Sequence, residues 1–119
     1  MIQTFACDKE GFNVVMESQG WQIAILHSGE GMYRGPLKGL SKHMTSDEVF
    51  VLVKGSGTLY TADDGVLNVV PMEIGKVYNV PLGEWHGLRL SDDATAIVAE
   101  NTNMDPAGNI SAPLTEILK

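Results

Sequence analysis

The stretch Gly75-Lys76-Val77-Tyr78-Asn79-Val80-Pro81-Leu82-Gly83-Glu84-Trp85-His86 constrains this chain more than any other. Gly75 permits the turn that feeds a strand, and Pro81, with no N–H to donate, ends that strand's pairing at a sheet edge. Gly83 allows a second turn with φ > 0, after which His86 opens the next strand with its side chain pointing one defined way. The pattern is strand, turn, strand, and it aims an imidazole.

The same punctuation recurs along the chain. Short apolar, β-branched or aromatic runs at Asn13–Met16, Trp21–His27, Leu40–Met44, Glu48–Lys54, Gly57–Ala62, Val66–Met72, Lys76–Val80, His86–Ser91 and Ala94–Glu100 alternate with turn signals. Asp64-Gly65 marks a hairpin, because that pair readily takes the positive φ values of a tight turn. Helical periodicity is scarce, so the expected fold is all-β, an antiparallel sandwich or closed barrel. After Glu100 the texture becomes polar and turn-rich through Asn109. Ser111–Lys119 then predicts a brief helix with Ser111 as its cap and Pro113 in its first turn, packed on the barrel or on a second subunit.

A chain of 119 residues suits one domain, with the barrel at about residues 21–100 and an appendage at 101–119. Hydrophobic residues at 44% and charged residues at 19% fit a folded globule. The net charge of −7, with eight scattered Lys and Arg, argues against nucleic acid as a partner. The single Cys7 forms no internal disulfide and reads as a small packing residue. No basic start followed by a long apolar run marks a signal peptide, and no run reaches membrane-spanning length, so the expected location is the cytoplasm, away from any membrane. No phosphate-cradling glycine loop leads into a helix, and no Ser–His–Asp or Cys–His arrangement is supported.

The Gly–Pro–Gly–His skeleton of residues 75–86 resembles the second motif of the cupin superfamily. That superfamily's first motif has two His separated by one residue, then Glu, then Gly at the following turn. Here the matching segment is Ser41-Lys42-His43-Met44-Thr45-Ser46-Asp47-Glu48-Val49-Phe50-Val51-Leu52-Val53-Lys54-Gly55. Glu48 and Gly55 keep the spacing and His43 stands at the second His. Ser41 replaces the first His, and Leu90 replaces a later Asn. The resemblance covers about residues 21–100. It implies a single antiparallel double-stranded β-helix (cupin or jelly-roll) barrel with a short C-terminal tail or helix, and a homodimer. Three of the four usual metal-ligand positions, His43, Glu48 and His86, are filled.

The residues themselves bear on that ligand set. Period-two alternation puts Glu48, Phe50 and Leu52 on one strand face and Val49, Val51 and Val53 on the other, predicting burial on both faces. His86 shares a face with Leu88 and Leu90, and His43 with Ser41. Strands closing into a barrel can bring the imidazoles and the carboxylate to one mouth, above a pocket lined by Ser41, Phe50, Leu52 and Leu88. Two His and one carboxylate suit a divalent transition metal (Fe, Mn, Ni or Zn) with open coordination positions. The alternative is a metal-free cluster in which Glu48 accepts a hydrogen bond from His43 or His86.

Other candidates carry default readings. His27 is a packed or rim histidine, or else a substitute for the absent first His. Trp21 reads as core, and Trp85 packs outside the pore or at a subunit contact. Tyr33, Tyr60 and Tyr78 are proton or hydrogen-bond donors if they reach the pocket. Arg34, Lys42 and Arg89 bind an anion only if they converge. The expected function is metal-dependent chemistry of isomerase, lyase or dioxygenase type on a small polar molecule. A non-catalytic small-ligand-binding or sensor protein is the alternative, and a partner-binding subunit with a purely structural barrel is a third.

Overall fold

Each of the nine candidate runs forms a strand. The computed structural model describes residues 1–102 and 106–119. Its elements are β1 (Gly11–Ser18), β2 (Trp21–His27), β3 (Gly39–His43), β4 (Glu48–Lys54), β5 (Gly57–Asp63), β6 (Val66–Pro71), β7 (Val77–Val80), β8 (Trp85–Leu90), β9 (Thr95–Asn101), β10 (Asn109–Pro113) and α1 (Leu114–Ile117). Tight hairpins join neighbours: Asp64 and Gly65 both have positive φ, as do Gln19 and Gly20 between β1 and β2. Those values suit the right-handed twist of paired strands.

Two five-stranded antiparallel sheets result, ordered β1-β2-β9-β4-β7 and β10-β3-β8-β5-β6. The chain passes repeatedly from one sheet to the other, which is the jelly-roll arrangement. Inward residues of the first sheet (Ala24, Leu26, Phe50, Leu52, Ala96, Val98) meet Leu59, Leu88 and Leu90 of the second in one buried cluster. Gly55, with φ of +76°, turns β4 toward β5 so tightly that a Cβ there would sit 2.7 Å from the Cα of Ala94. No helix among the described residues is long and apolar enough to cross a membrane.

Three expectations need correction. Outer-face residues are not sealed: Val49 and Val51 are half-buried and Val53 is 47% exposed, because nothing among the described residues seals the back of β4. Trp21 is exposed rather than core, since β2 turns Gln22, Ala24 and Leu26 inward and leaves Trp21 in the opposite phase. Ser111 caps no helix. It lies in β10, paired with Ser41 of β3, and the short α1 has Pro113 at its N-cap without a side-chain cap bond. Antiparallel pairing with β3 overrode the local helix signal there.

Candidate metal centre

Glu48, the first residue of β4, lies in the inward phase with Phe50 and Leu52. His86, near the start of β8, lies in the inward phase with Leu88 and Leu90. The turn before β8 holds the two motifs together. Gly83 takes a φ of +84° and its N–H donates to the His43 carbonyl at 2.8 Å. On the other side of this turn, Asp47 accepts from the Leu82 N–H at 2.8 Å and from the Asn79 amide at 3.2 Å. The end of β3 and the start of β4 are thereby fastened to the loop that presents His86.

Ligand atoms of His43, Glu48 and His86 all lie within 4.8 Å of one another. Glu48 Oε1 is 2.9 Å from His86 Nε2 and 3.6 Å from His43 Nε2. The far side of each ring is anchored. His86 Nδ1–H donates to the Glu84 carbonyl at 3.1 Å, and His43 Nδ1–H donates to Asn109 Oδ1 at 2.6 Å. Such anchors fix the tautomer and aim Nε2 at a shared point, as metal-ligating histidines require. Phe50 packs edge-on to the His86 ring, 5.9 Å between centroids, and limits its rotation.

Burial works to raise the Glu48 carboxyl, yet hydrogen bonds with His86 and Glu100 and the nearby imidazoles hold it below the usual carboxylate range. Burial likewise opposes a charged His86, but the bonds to Glu48 and to the Glu84 carbonyl raise it. Both His86 nitrogens face acceptors, which is the geometry of an imidazolium paired with a carboxylate. Glu100, across β9 from Glu48 in the strand register, is pushed up to about 8 by burial and by the Glu48 carboxyl. Two carboxyls this close hold a single proton between them.

These groups open on a cavity of about 410 Å³. Ser41, Phe50 and Leu88 line it as expected positions, joined by Leu26 and Phe12 on the apolar side and by Gln22, Tyr33, Glu100 and Asn109 on the polar side. Leu52, expected in this lining, is instead sealed in the core at 1% exposure, deeper along β4 than the cavity floor. Leu90 is in the same buried cluster. Ser41 stands opposite His86 in the β3–β8 register and shares a 2.9 Å hydrogen bond with Ser111.

Tyr33 is the tyrosine that reaches the cavity, and burial followed by the charges of Glu48 and Glu100 pushes its phenol up to about 12. Tyr78 instead accepts the Glu73 N–H at 2.8 Å, and Tyr60 lies in the outward phase of β5. None of the three candidate cations lines this cavity, and Arg34 and Arg89 border a separate surface pocket instead. Arg34 pairs with Asp92 at 3.0 Å, Arg89 donates to carbonyls of Gly35, Pro36 and Leu88, and Lys42 lies over the Trp85 ring. His27 is remote from the cluster and donates to the Cys7 carbonyl at 2.7 Å.

Sequence reasoning missed Glu100, Gln22 and Asn109. The first two had a signal: Glu100 continues the inward phase of Ala94, Ala96 and Val98, and Gln22 that of Ala24 and Leu26. Asn109 had none, since its approach to His43 depends on the pairing of β10 with β3.

No protein-family profile matches the chain, and no curated protein matches it. Solved structures do. A cupin-2 domain protein from Shewanella frigidimarina is 17% identical, with a TM-score of 0.59 over 80% of this chain and 84% of that one. The capsular polysaccharide assembling protein CapF from Staphylococcus aureus is 24% identical with a TM-score of 0.66; the match takes in 90% of this chain but 33% of CapF. Pac13 of Streptomyces, described as a nucleoside dehydratase, is 11% identical, with a TM-score of 0.65 over 95% of this chain and 92% of that one. At these identities the likeness speaks for the fold and not for the chemistry. The protein has the cupin fold.

Proposed function

We propose that the protein is a metal-dependent enzyme that moves protons on a small, neutral polar molecule, in an isomerisation or elimination. The observation that carries this reading is the convergence of two anchored imidazole nitrogens and one carboxylate oxygen within 4.8 Å, in a cavity between the two sheets. His43, Glu48 and His86 would hold Fe, Mn, Ni or Zn, a donor set of mixed nitrogen and oxygen suited to these ions. The bound ion would supply Lewis-acid polarisation of a substrate carbonyl or hydroxyl oxygen.

The surrounding residues favour proton transfer over oxidation. In the ion-free protein Glu100 is pushed up to about 8 and keeps a proton at neutral pH. Tyr33 stays protonated and offers a hydrogen-bond donor. Leu26, Phe50 and Leu88 exclude water from the floor of the cavity. The lining carries no Lys or Arg, so an anionic substrate finds no counter-charge from the protein there.

Protein purified without chelators and offered Fe(II), Mn, Ni and Zn in turn should bind one ion per chain, and His86→Ala should lose it. Metal-loaded protein incubated in D2O with small hydroxy-carbonyl compounds should place deuterium in one of them. A wild-type chain that binds none of the four ions would sink the reading.

A second reading rests on the Glu48–His86 pair. At 2.9 Å it already satisfies the buried charge without any ion, as a metal-free ligand-binding or sensor pocket requires. Small-molecule binding without metal and without deuterium incorporation would favour it.

We also infer a homodimer, formed through the outer face of the β1-β2-β9-β4-β7 sheet. Ile25, Ile97, Val51 and Val77 lie in one row across four strands, the first three half-buried and Val77 exposed. A contiguous apolar sheet face of this kind marks an interface.

A further inference from the structure

Glu48 and Glu100 face the same cavity from adjacent strands, within hydrogen-bonding reach of one another. One oxygen of Glu100 is accounted for, since Oε1 accepts from the Gln22 amide at 3.0 Å. The other, Oε2, is fully buried, and among the described residues no N–H or hydroxyl donates to it. Two apposed buried carboxyls need something positive between them: in the ion-free protein a shared proton serves, and a divalent ion entering the same place would displace it. No Lys or Arg lines the cavity to serve.

We propose that Glu100 is a fourth protein ligand of the ion held by His43, Glu48 and His86, so that one divalent cation sits between the carboxyls of β4 and β9. This rests on the metal reading above and extends it to a donor set of two imidazoles and two carboxylates. Charge supports the arrangement. A divalent ion with Glu48 alone leaves one uncompensated positive charge in a largely buried site, whereas Glu100 neutralises it. Gln22 holds Oε1 and so orients Oε2 toward the ion, as supporting partners of ligating carboxylates do. The position left by Ser41 is thereby made good from a different strand. Two hard oxygen donors also move the preference toward Mn2+ and away from Zn2+, relative to a site with a single carboxylate.

The test compares chelator-stripped wild type with Glu100→Gln, Glu100→Asp and, as a distant charge control, Glu116→Gln. Mn2+ and Zn2+ affinities are measured by calorimetry, and the bound Mn2+ is examined by electron paramagnetic resonance. E100Q should weaken Mn2+ binding by about tenfold or more, the scale of metal-site partner losses, weaken Zn2+ less, and alter the Mn2+ spectrum; E116Q should change nothing. E100D keeps the charge but shortens the arm, so it should also lose Mn2+ affinity. This variant decides the matter if E100Q does not fold. Mn2+ affinity within twofold of wild type in E100Q, or wild-type affinity in E100D, overturns the ligand role while leaving the three-residue site standing. A wild-type chain that binds neither ion, nor Fe(II) or Ni, overturns both.

Discussion

Ser41 lies directly across the β3–β8 ladder from His86 and turns its hydroxyl to Ser111. Directly opposed residues of an antiparallel pair project to the same face, with Cβ atoms about 5 Å apart. A nitrogen donor at residue 41 would therefore enter the same cluster. Ser41→His should tighten binding of the preferred ion by about tenfold or more, a change on the scale that metal-site partners exert. Competition with a chromophoric chelator measures it. Unchanged affinity with intact folding would mean that the Ser41 position faces away from the ion.

Titration should be visible in the metal-free protein. Glu100 is raised from its ordinary value of 4.5 to about 8, so its stabilising contribution is full below 4.5 and is lost as pH rises through about 8. His86 is raised above 6.5, and its contribution is likewise present below 6.5 and lost as pH rises through its folded value. Glu48 is lowered, so its contribution holds above 4.5 and fails only under more acidic conditions. Both raised groups act in one direction over the neutral range. With chelator present, the Tm should fall between pH 6 and pH 9, and Glu100→Gln should flatten that fall. A Tm that rises across the same interval would contradict the assigned protonation.

Gly39 pairs with Pro113, and a Cβ at residue 39 would lie 2.6 Å from the Ala112 carbonyl oxygen. That contact is backbone, so it cannot be relieved by a side-chain rotation. Gly39→Ala should cost about 1–3 kcal/mol, the range for overpacked sites, read by urea denaturation. Because β10 also carries Asn109, the same variant should weaken metal binding. Destabilisation with unaltered metal affinity would show that His43 is held without Asn109.

Val51 occupies the middle of the outer apolar row, between Ile97 and Val77. Val51→Lys places a charge where a second copy would dock and leaves the inner face of β4 untouched. Sedimentation should show a dimer for wild type and a monomer for the variant, with little change in Tm per folded chain. A wild-type monomer at high concentration would remove the dimer.

The sheet architecture was legible in the sequence because each inner-face residue sits in strict alternation and each turn carries its own chemistry. Asp64-Gly65 and Gly83 illustrate the second, since their positive φ values are encoded locally. His43, Glu48 and His86 were legible because the segments that carry them resemble the two cupin motifs, and the phase of their Leu and Phe neighbours turned Glu48 and His86 inward. What the alternation could not reveal was partnership across strands. Glu100 gains its role only from the register that sets it opposite Glu48, and Asn109 only from the addition of β10 to the β3 edge. The brief C-terminal helix does form, at Leu114–Ile117, but Ser111 is not its cap, a local signal outweighed by a ladder to a residue 70 positions away in sequence.

β10 pairs with β3 along all five residues from Gly39 to His43, and Asn109 supplies the acceptor for the His43 ring. The order of synthesis gives this a consequence. When β9 has just been made, the chain already carries His43, Glu48, His86 and Glu100, but the strand that steadies one of them does not yet exist. A nascent polypeptide stalled before residue 109 would present a lopsided set of donors, with one imidazole free to swing. Order at the His43 ring therefore arrives only once β10 has been made and paired.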